Sequence, residues 1–141
     1  MTPGTERRLL QIAIALACLV PLFAGGAGVL GGPAMVKGIA PGEAGIDLDS
    51  HFRYLSGLLL GIGIGFAACI PAIEHRTAIF RTLGLIVILG GLARLSLVPS
   101  VGLPGPGHVF GLAMELGTVP LLVLWQGRVA RRFRARGRQT R

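Results

Sequence analysis

Four long apolar segments restrict what this chain can fold into. They extend from Leu9 to Leu30, from Tyr54 to Ile73, from Thr82 to Val98 and from Val109 to Trp125. An α-helix needs about 20 mostly apolar residues to cross the hydrocarbon core of a bilayer, and each segment approaches or exceeds that length. Backbone polar groups inside a membrane must be satisfied within the spanning structure, which favours helices. The sequence therefore predicts an all-α fold, a four-helix transmembrane bundle.

The composition agrees with a membrane protein, because only 14% of the residues are charged whereas an average globular domain has about 25%. We predict one transmembrane domain over residues 1–126, with helices at about 9–30, 54–73, 79–98 and 109–126. A flexible, basic cytoplasmic tail is expected over residues 127–141. The alternative for the first helix is a cleaved signal peptide, since Arg7 and Arg8 precede the apolar run. The run continues past the small residues at 24–27, which favours an uncleaved helix.

The distribution of lysine and arginine predicts the orientation of the chain in the membrane. Basic residues concentrate in the cytoplasmic loops of membrane proteins. If the N-terminus is cytoplasmic, eleven of the 14 basic residues fall on that side, Lys37 and Arg53 fall outside, and Arg94 lies within a helix. We therefore predict a multi-pass protein of the cell inner membrane with both termini in the cytoplasm. Seven of the eleven are in the tail: Arg128, Arg131, Arg132, Arg134, Arg136, Arg138 and Arg141.

The basic tail has two candidate partners, anionic lipid and nucleic acid. It directly follows a predicted membrane helix, where arginines commonly act as topology signals and contact lipid headgroups. A nucleic-acid interface would need a folded basic face or interleaved aromatic residues, and only Phe133 interrupts this run. We expect the lipid bilayer and its anionic lipids as partners, and no nucleic acid. A homo-oligomer and a larger membrane complex both remain open.

Three charged residues, Arg53, Arg94 and Glu115, fall in the predicted helices or at their outer ends. On the predicted topology Arg94 and Glu115 each lie roughly 7–11 Å below the outer surface, given the 1.5 Å rise per helical residue. Because an ionisable residue inside a membrane is costly, it indicates a functional site or a partner of opposite charge. We predict that Arg94 and Glu115 form an ion pair. Asp49, His51 and His108 would cap the same layer from above.

This outer cluster, defined as Asp49, His51, Arg53, Arg94, His108 and Glu115, has two interpretations. It fixes the packing of the helices, or it binds a ligand or ion. Glycines occur on the same helices and are predicted to let helix backbones approach closely. These packing glycines are Gly57, Gly61, Gly65, Gly90 and Gly91. Whether they pack within one chain or between chains is left open.

Motifs for known enzyme chemistry are absent from the sequence. It contains no phosphate-binding GxxxxGK[ST] loop, no HExxH and no serine nucleophile elbow. Cys18 and Cys69 lie in apolar segments without a CxxC or Cys/His ligand pattern, so neither a metal site nor a cofactor is predicted. Buried cysteines of this kind act as small hydrophobic side chains.

The segment from Asp47 to Gly57, DLDSHFRYLSG, resembles the DsxxRfyxG signature of a small bacterial membrane family, domain of unknown function 4345. Three later motifs are also similar to that family: Ile73-Glu74-His75-Arg76 with Phe80-Arg81, Gly90-Gly91-Leu92-Ala93-Arg94-Leu95-Ser96, and Glu115-Leu116 with Pro120. The resemblance covers most of the chain, from about Leu9 to Trp125. It implies four membrane helices and no established activity. Asp49, Arg53, Arg94 and Glu115 all lie in these motifs.

Three functions are compatible with these features. The first is a non-catalytic accessory subunit or scaffold whose Arg/Glu cluster fixes helix packing. The second is binding or transport of a small anionic ligand or lipid headgroup at the outer cluster. The third is a lipid-modifying membrane enzyme that uses Glu115, His51 or His108 as acid or base. We favour the first, because the residue types for catalysis are present without a diagnostic spacing.

Overall fold

The computed structural model describes residues 2–36, 39–40, 42 and 44–139, and this part of the chain contains helices and no β-strand. The all-α fold class is therefore confirmed. The α-helices are α1 (Pro3–Gly31), α2 (Gly45–Cys69), α3 (Thr77–Leu95), α4 (Val98–Val101), α5 (Pro106–Ala113) and α6 (Val119–Gln139). Short 3-10 turns follow α1 (Gly32–Met35) and α2 (Ile70–Ala72), and a π-helical turn (Met114–Thr118) joins α5 to α6.

Four helical segments are long and apolar enough to cross a membrane, as predicted. They are Pro3–Met35, Gly45–Ala72, Thr77–Val101 and Pro106–Gly137. Large apolar side chains remain exposed along them, including Phe23, Leu121 and Leu124. A soluble protein rarely leaves such continuous apolar surface in contact with water. These features indicate a multi-pass membrane protein.

The helices extend beyond the segments that hydropathy marks. Helix α2 begins at Gly45, nine residues before the predicted start. Asp47 lies in its first turn, where the helix dipole favours a negative charge, and Asp49 pairs with Arg53 one turn later. Hydropathy detects the part of a helix that contacts lipid, whereas backbone hydrogen bonding continues as far as the local sequence allows.

Helix α6 continues without a break from Val119 to Gln139, through most of the predicted basic tail, whose flexibility stays a prediction. Val129 and Ala130 are fully buried, and Arg128 and Arg132 both form ion pairs with Glu6. The first part of the predicted tail, residues 127–132, is therefore packed against the rest of its unit, whereas residues 134–137 are exposed. Composition does not distinguish the two cases, because a run of arginines has the same composition in a packed helix and in a flexible tail.

The chain divides into two compact units, one formed by Ile14–Ala68 and the other by the remaining residues. In the Ile14–Ala68 unit, the later part of α1 runs antiparallel to α2. Their closest contacts bring Gly25 to Leu60, Gly28 to Ser56, and Gly63 to Leu22. The unit's buried side chains include Ile14, Cys18 and Phe66.

In the other unit, α3 runs antiparallel to α6 and to the π turn. Gly84 contacts Val123, and Gly91 contacts Glu115 and Leu116. The core of this unit consists of Leu10, Cys69, Ile73, Phe80, Leu122, Val129 and Ala130. Gln126 is also fully buried and donates hydrogen bonds to the Ile73 carbonyl and to the Thr77 hydroxyl.

Candidate functional site

The predicted ion pair between Arg94 and Glu115 is present. Arg94 lies in the last turn of α3, and its Nη2 is 3.2 Å from Oε1 of Glu115 in the π turn. The other guanidinium nitrogen, Nη1, is 3.4 Å from Nδ1 of His108 in α5. A Cβ atom at Gly111 would lie only 3.1 Å from Arg94 Nη1, so the glycine leaves space for the guanidinium. The three polar residues predicted from helices three and four therefore meet.

A π-helical turn positions Glu115. The turn spans Met114–Thr118 and is followed directly by α6, whose second residue is Pro120. Proline has no N–H and its ring clashes with the carbonyl four residues before it, here that of Leu116. An extra residue in the turn relieves this conflict. Single π turns inside α-helices are rare and occur frequently at functional sites.

Gly91 allows α3 to approach the π turn. An ideal Cβ atom at this position would lie 2.9 Å from the Cβ of Glu115 and 2.9 Å from Cδ2 of Leu116. Any larger side chain would push α3 away from Glu115. Gly91 therefore has the packing role predicted for it, and it lies one turn before Arg94.

Glu115 is more enclosed than its partner. Its side chain is 19% exposed and that of Arg94 is 37% exposed. Glu115 Oε1 receives the contact from Arg94, whereas Oε2 is buried without a hydrogen-bond partner among the described residues. The carboxylate thus depends on one arginine and on His108 nearby for its stabilisation.

Asp49 and Arg53 form a second polar group, in the Ile14–Ala68 unit. Arg53 Nε donates to Oδ1 of Asp49 one turn earlier in α2. Its Nη1 donates to the carbonyls of Val29 (2.7 Å) and Leu30 (3.2 Å) at the end of α1. The last carbonyls of a helix lack intrahelical donors, so Arg53 caps α1 and links it to α2.

An open cavity of about 250 Å³ lies beside Asp49 and Arg53. Small residues line most of the rest of it, including Gly31, Ala34 and Gly45. Pockets that enclose small-molecule ligands are usually about 300–1,000 Å³ and close around most of the ligand surface. The described hydrogen bonds of Arg53 use its Nε and Nη1 atoms.

His51 is exposed on α2, and among the described residues it makes none of the hydrogen bonds or ion pairs that hold the two polar groups. The six residues of the outer cluster are thus distributed over the two units: Arg94, His108 and Glu115 in one, and Asp49, His51 and Arg53 in the other. Their common depth below the outer surface stays a prediction from topology.

Most of the predicted packing glycines do not pack closely within the chain. A Cβ atom at Gly61 or Gly90 would meet no described atom within 4 Å, and one at Gly57 would reach only ordinary contact with Val29. Gly65 is half-buried. A four-residue spacing places glycines on one helix face, but the rotation of the helix decides which face meets its neighbour. The close approaches are made instead at Gly25, Gly28, Gly63, Gly84 and Gly91.

A polar network that was not predicted lies at the other end of the helices. Glu6 in α1 is almost fully buried and contacts Arg128 Nε at 3.0 Å and Arg132 Nη1 at 2.6 Å. Arg7 pairs with Glu74 at 2.8 Å and also donates to the carbonyl of Pro71. A sequence signal for this network is Glu6 itself, a carboxylate directly before Arg7 and Arg8.

Metal-ligating side chains do not cluster in the described part of the chain. No group of three histidine, cysteine, aspartate or glutamate side chains there is arranged to hold a metal ion. Cys18 and Cys69 are buried and are not joined by a disulfide.

A family model described as Domain of unknown function (DUF4345) matches residues 9–126 of the chain. The matched region includes all four apolar segments, the Arg94–Glu115 pair and the Arg53 cap. No curated protein and no solved structure matches the chain.

Proposed function

The chain belongs to the DUF4345 family, and from that premise we propose that it is a non-catalytic membrane protein, an accessory subunit or scaffold. It resides in the cell inner membrane with both termini in the cytoplasm, as the asymmetric distribution of its arginines indicates. Its intramembrane charges hold its helices together. The family description names no activity, so the proposal depends on the contacts of the charged residues.

One observation carries this proposal: the two arginines of the outer cluster, Arg94 and Arg53, each join two helical segments. Arg94 joins α3 to the π turn through Glu115, and Arg53 joins α2 to the end of α1. Inserting a charged side chain into the middle of a membrane costs at least about 2.5–3.5 kcal/mol, and pairing reduces that cost. A charged side chain that is paired within the chain in this way is well suited to fixing the position of a helix.

Arg94→Ala tests this role directly. This variant leaves the enclosed Glu115 carboxylate without its cation, which should lower the stability of the fold by about 2–3 kcal/mol. The value is at the low end of the range for breaking a buried ion pair, because the Arg94 side chain is partly exposed. We expect a lower yield of monodisperse protein after extraction in a mild detergent. The double variant Arg94→Glu, Glu115→Arg should recover part of that yield. Arg8→Ala, which removes an exposed arginine without a described partner, is the matched control.

Normal yield and normal thermal stability of Arg94→Ala would refute the structural role. Loss of yield in the reversed pair equal to that of the single variant would indicate that the site needs this particular polarity. That second result would favour a binding role, since a ligand recognises one arrangement of charge whereas a packing contact tolerates both.

Binding of a small anionic ligand or lipid headgroup at Arg94 is the second candidate function. It is supported by the accessibility of Arg94, whose side chain is 37% exposed, and by the neighbouring His108. The proposed test is thermal stabilisation of the purified wild type by phosphatidylglycerol or by small carboxylates. Stabilisation that disappears in the conservative variant Arg94→Lys, which keeps the charge, would support binding over packing.

A further inference from the structure

Two arginines on different helices converge on Gly127. An ideal Cβ atom at Gly127 would lie 3.1 Å from Nη2 of Arg81 and 3.7 Å from Nη1 of Arg131. The two nitrogens are therefore separated by at most the sum of these distances. Arg81 comes from the second turn of α3, and Arg131 lies one turn after Gly127 on the same face of α6.

The carboxylates of this unit are all engaged elsewhere. Glu6 contacts Arg128 and Arg132, Glu74 contacts Arg7, and Glu115 contacts Arg94. Within the described part of the chain, neither Arg81 nor Arg131 has an ion pair or a side-chain hydrogen bond. Two guanidinium groups this close repel each other, and an anion between them would offset that repulsion.

The position of the two arginines matches the level of lipid headgroups. Gly127 follows Trp125 and Gln126 near the end of the apolar part of α6, and tryptophan is enriched at membrane interfaces. Gly127 is buried beneath the two guanidinium groups, and its lack of a side chain leaves the space between them open. Arginine offers forked N–H donors that match the oxygens of a phosphate group.

We propose that Arg81 and Arg131 form a binding site for a phosphate group, with Gly127 as its floor. The ligand is a phosphate anion, carried either by the headgroup of an anionic lipid or by a soluble molecule. The site is independent of the proposed scaffold role, which uses neither arginine. It also differs from general attraction of a basic helix to the membrane, since it requires these two side chains in this geometry.

The test is retention of phosphatidylglycerol by the full-length protein in native mass spectrometry from a non-ionic detergent. Wild type is compared with the double variant Arg81→Gln, Arg131→Gln, and with Gly127→Leu, which fills the site but keeps every charge. Arg134→Gln is the matched control, because it removes an exposed arginine of the same helix outside the site. We expect lipid retention to be about tenfold weaker in the double variant and in Gly127→Leu, because both lose charge-assisted hydrogen bonds to the phosphate. In the Arg134→Gln control, we expect retention to weaken by less than about twofold.

A second titration identifies the source of the phosphate. Inorganic phosphate and chloride are added at equal ionic strength. Displacement of the lipid by phosphate alone would show that the site takes free phosphate, and failure to displace it would show that the lipid is required; both support the site. Equal retention by the double variant and wild type would overturn it. Equal weakening in the double variant and in Arg134→Gln would also overturn it, since that pattern reports diffuse attraction.

Discussion

Glu6 provides the most sensitive test of how the first helix is held. Its side chain is 3% exposed and contacts two arginines of α6, Arg128 at 3.0 Å and Arg132 at 2.6 Å. A hydrogen bond to a charged group contributes about 1.5–3 kcal/mol. Because the arginine side chains are 59% and 40% exposed, solvent screening reduces both contributions. We expect Glu6→Gln to lower the free energy of unfolding by about 2 kcal/mol, since glutamine keeps one acceptor oxygen without the charge.

The buried cysteines supply the assay. Cys69 is 2% exposed and belongs to the same unit as Glu6, so a thiol-reactive fluorogenic dye reports unfolding there once Cys18 is replaced by alanine. At about 2–4 °C per kcal/mol for a chain of this size, Glu6→Gln should melt about 4–8 °C below its parent. Arg8→Gln, in the same helix and exposed, should melt within about 1 °C of it.

A double-mutant cycle with Arg132→Gln separates the ion pair from the two single effects. If the pair is formed, the double variant should lose less stability than the two single variants lose together, with a coupling of at least about 0.5 kcal/mol. An unchanged melting temperature in Glu6→Gln, or additive losses in the cycle, would refute the argument that this carboxylate holds α1 to α6.

Three further results follow from the contacts described above. Gly25→Ala should destabilise the protein by about 1–3 kcal/mol, because the new Cβ would lie 2.6 Å from the backbone nitrogen of Leu60. Gly26→Ala is the control and should be neutral or slightly stabilising, because its Cβ would meet no described atom within 4 Å. Thermal melting of the two variants measures the difference. Arg53→Ala should remove the cap from the last carbonyls of α1 and lower the free energy of unfolding by about 1–3 kcal/mol. Arg53→Lys should recover only part of this loss in the same melting experiments, because an ammonium group cannot reproduce the forked geometry of a guanidinium. The arginine distribution predicts a cytoplasmic carboxyl terminus. A fluorescent protein fused there should therefore be bright, and an alkaline phosphatase fused there should be inactive. The reverse pattern would show that the predicted orientation is wrong.

The ion pair between Arg94 and Glu115 could be predicted from the sequence. The order of the predicted helices and the rise per helical residue predict that Arg94 and Glu115 lie at similar depth on consecutive helices. Their opposite charges, in an apolar medium, favour an ion pair. The π turn that carries Glu115 was not predicted. It depends on how Pro120 is accommodated in a helix packed against α3, and a proline alone permits a bend, a bulge or a break.

The sequence by itself determined the four membrane-spanning helices, since length and hydropathy are properties of each segment taken alone. It also determined the family, through motifs that are read without coordinates. Only the tertiary structure decided which glycines pack, because the rotation of each helix depends on its neighbour: Gly63 faces α1, whereas Gly61, two residues earlier, does not. The tertiary structure likewise decided which arginines are paired. Arg132 and Arg131 are adjacent in a run of like charge, yet one contacts the buried Glu6 and the other lies over Gly127, because successive residues of a helix point in directions about 100° apart.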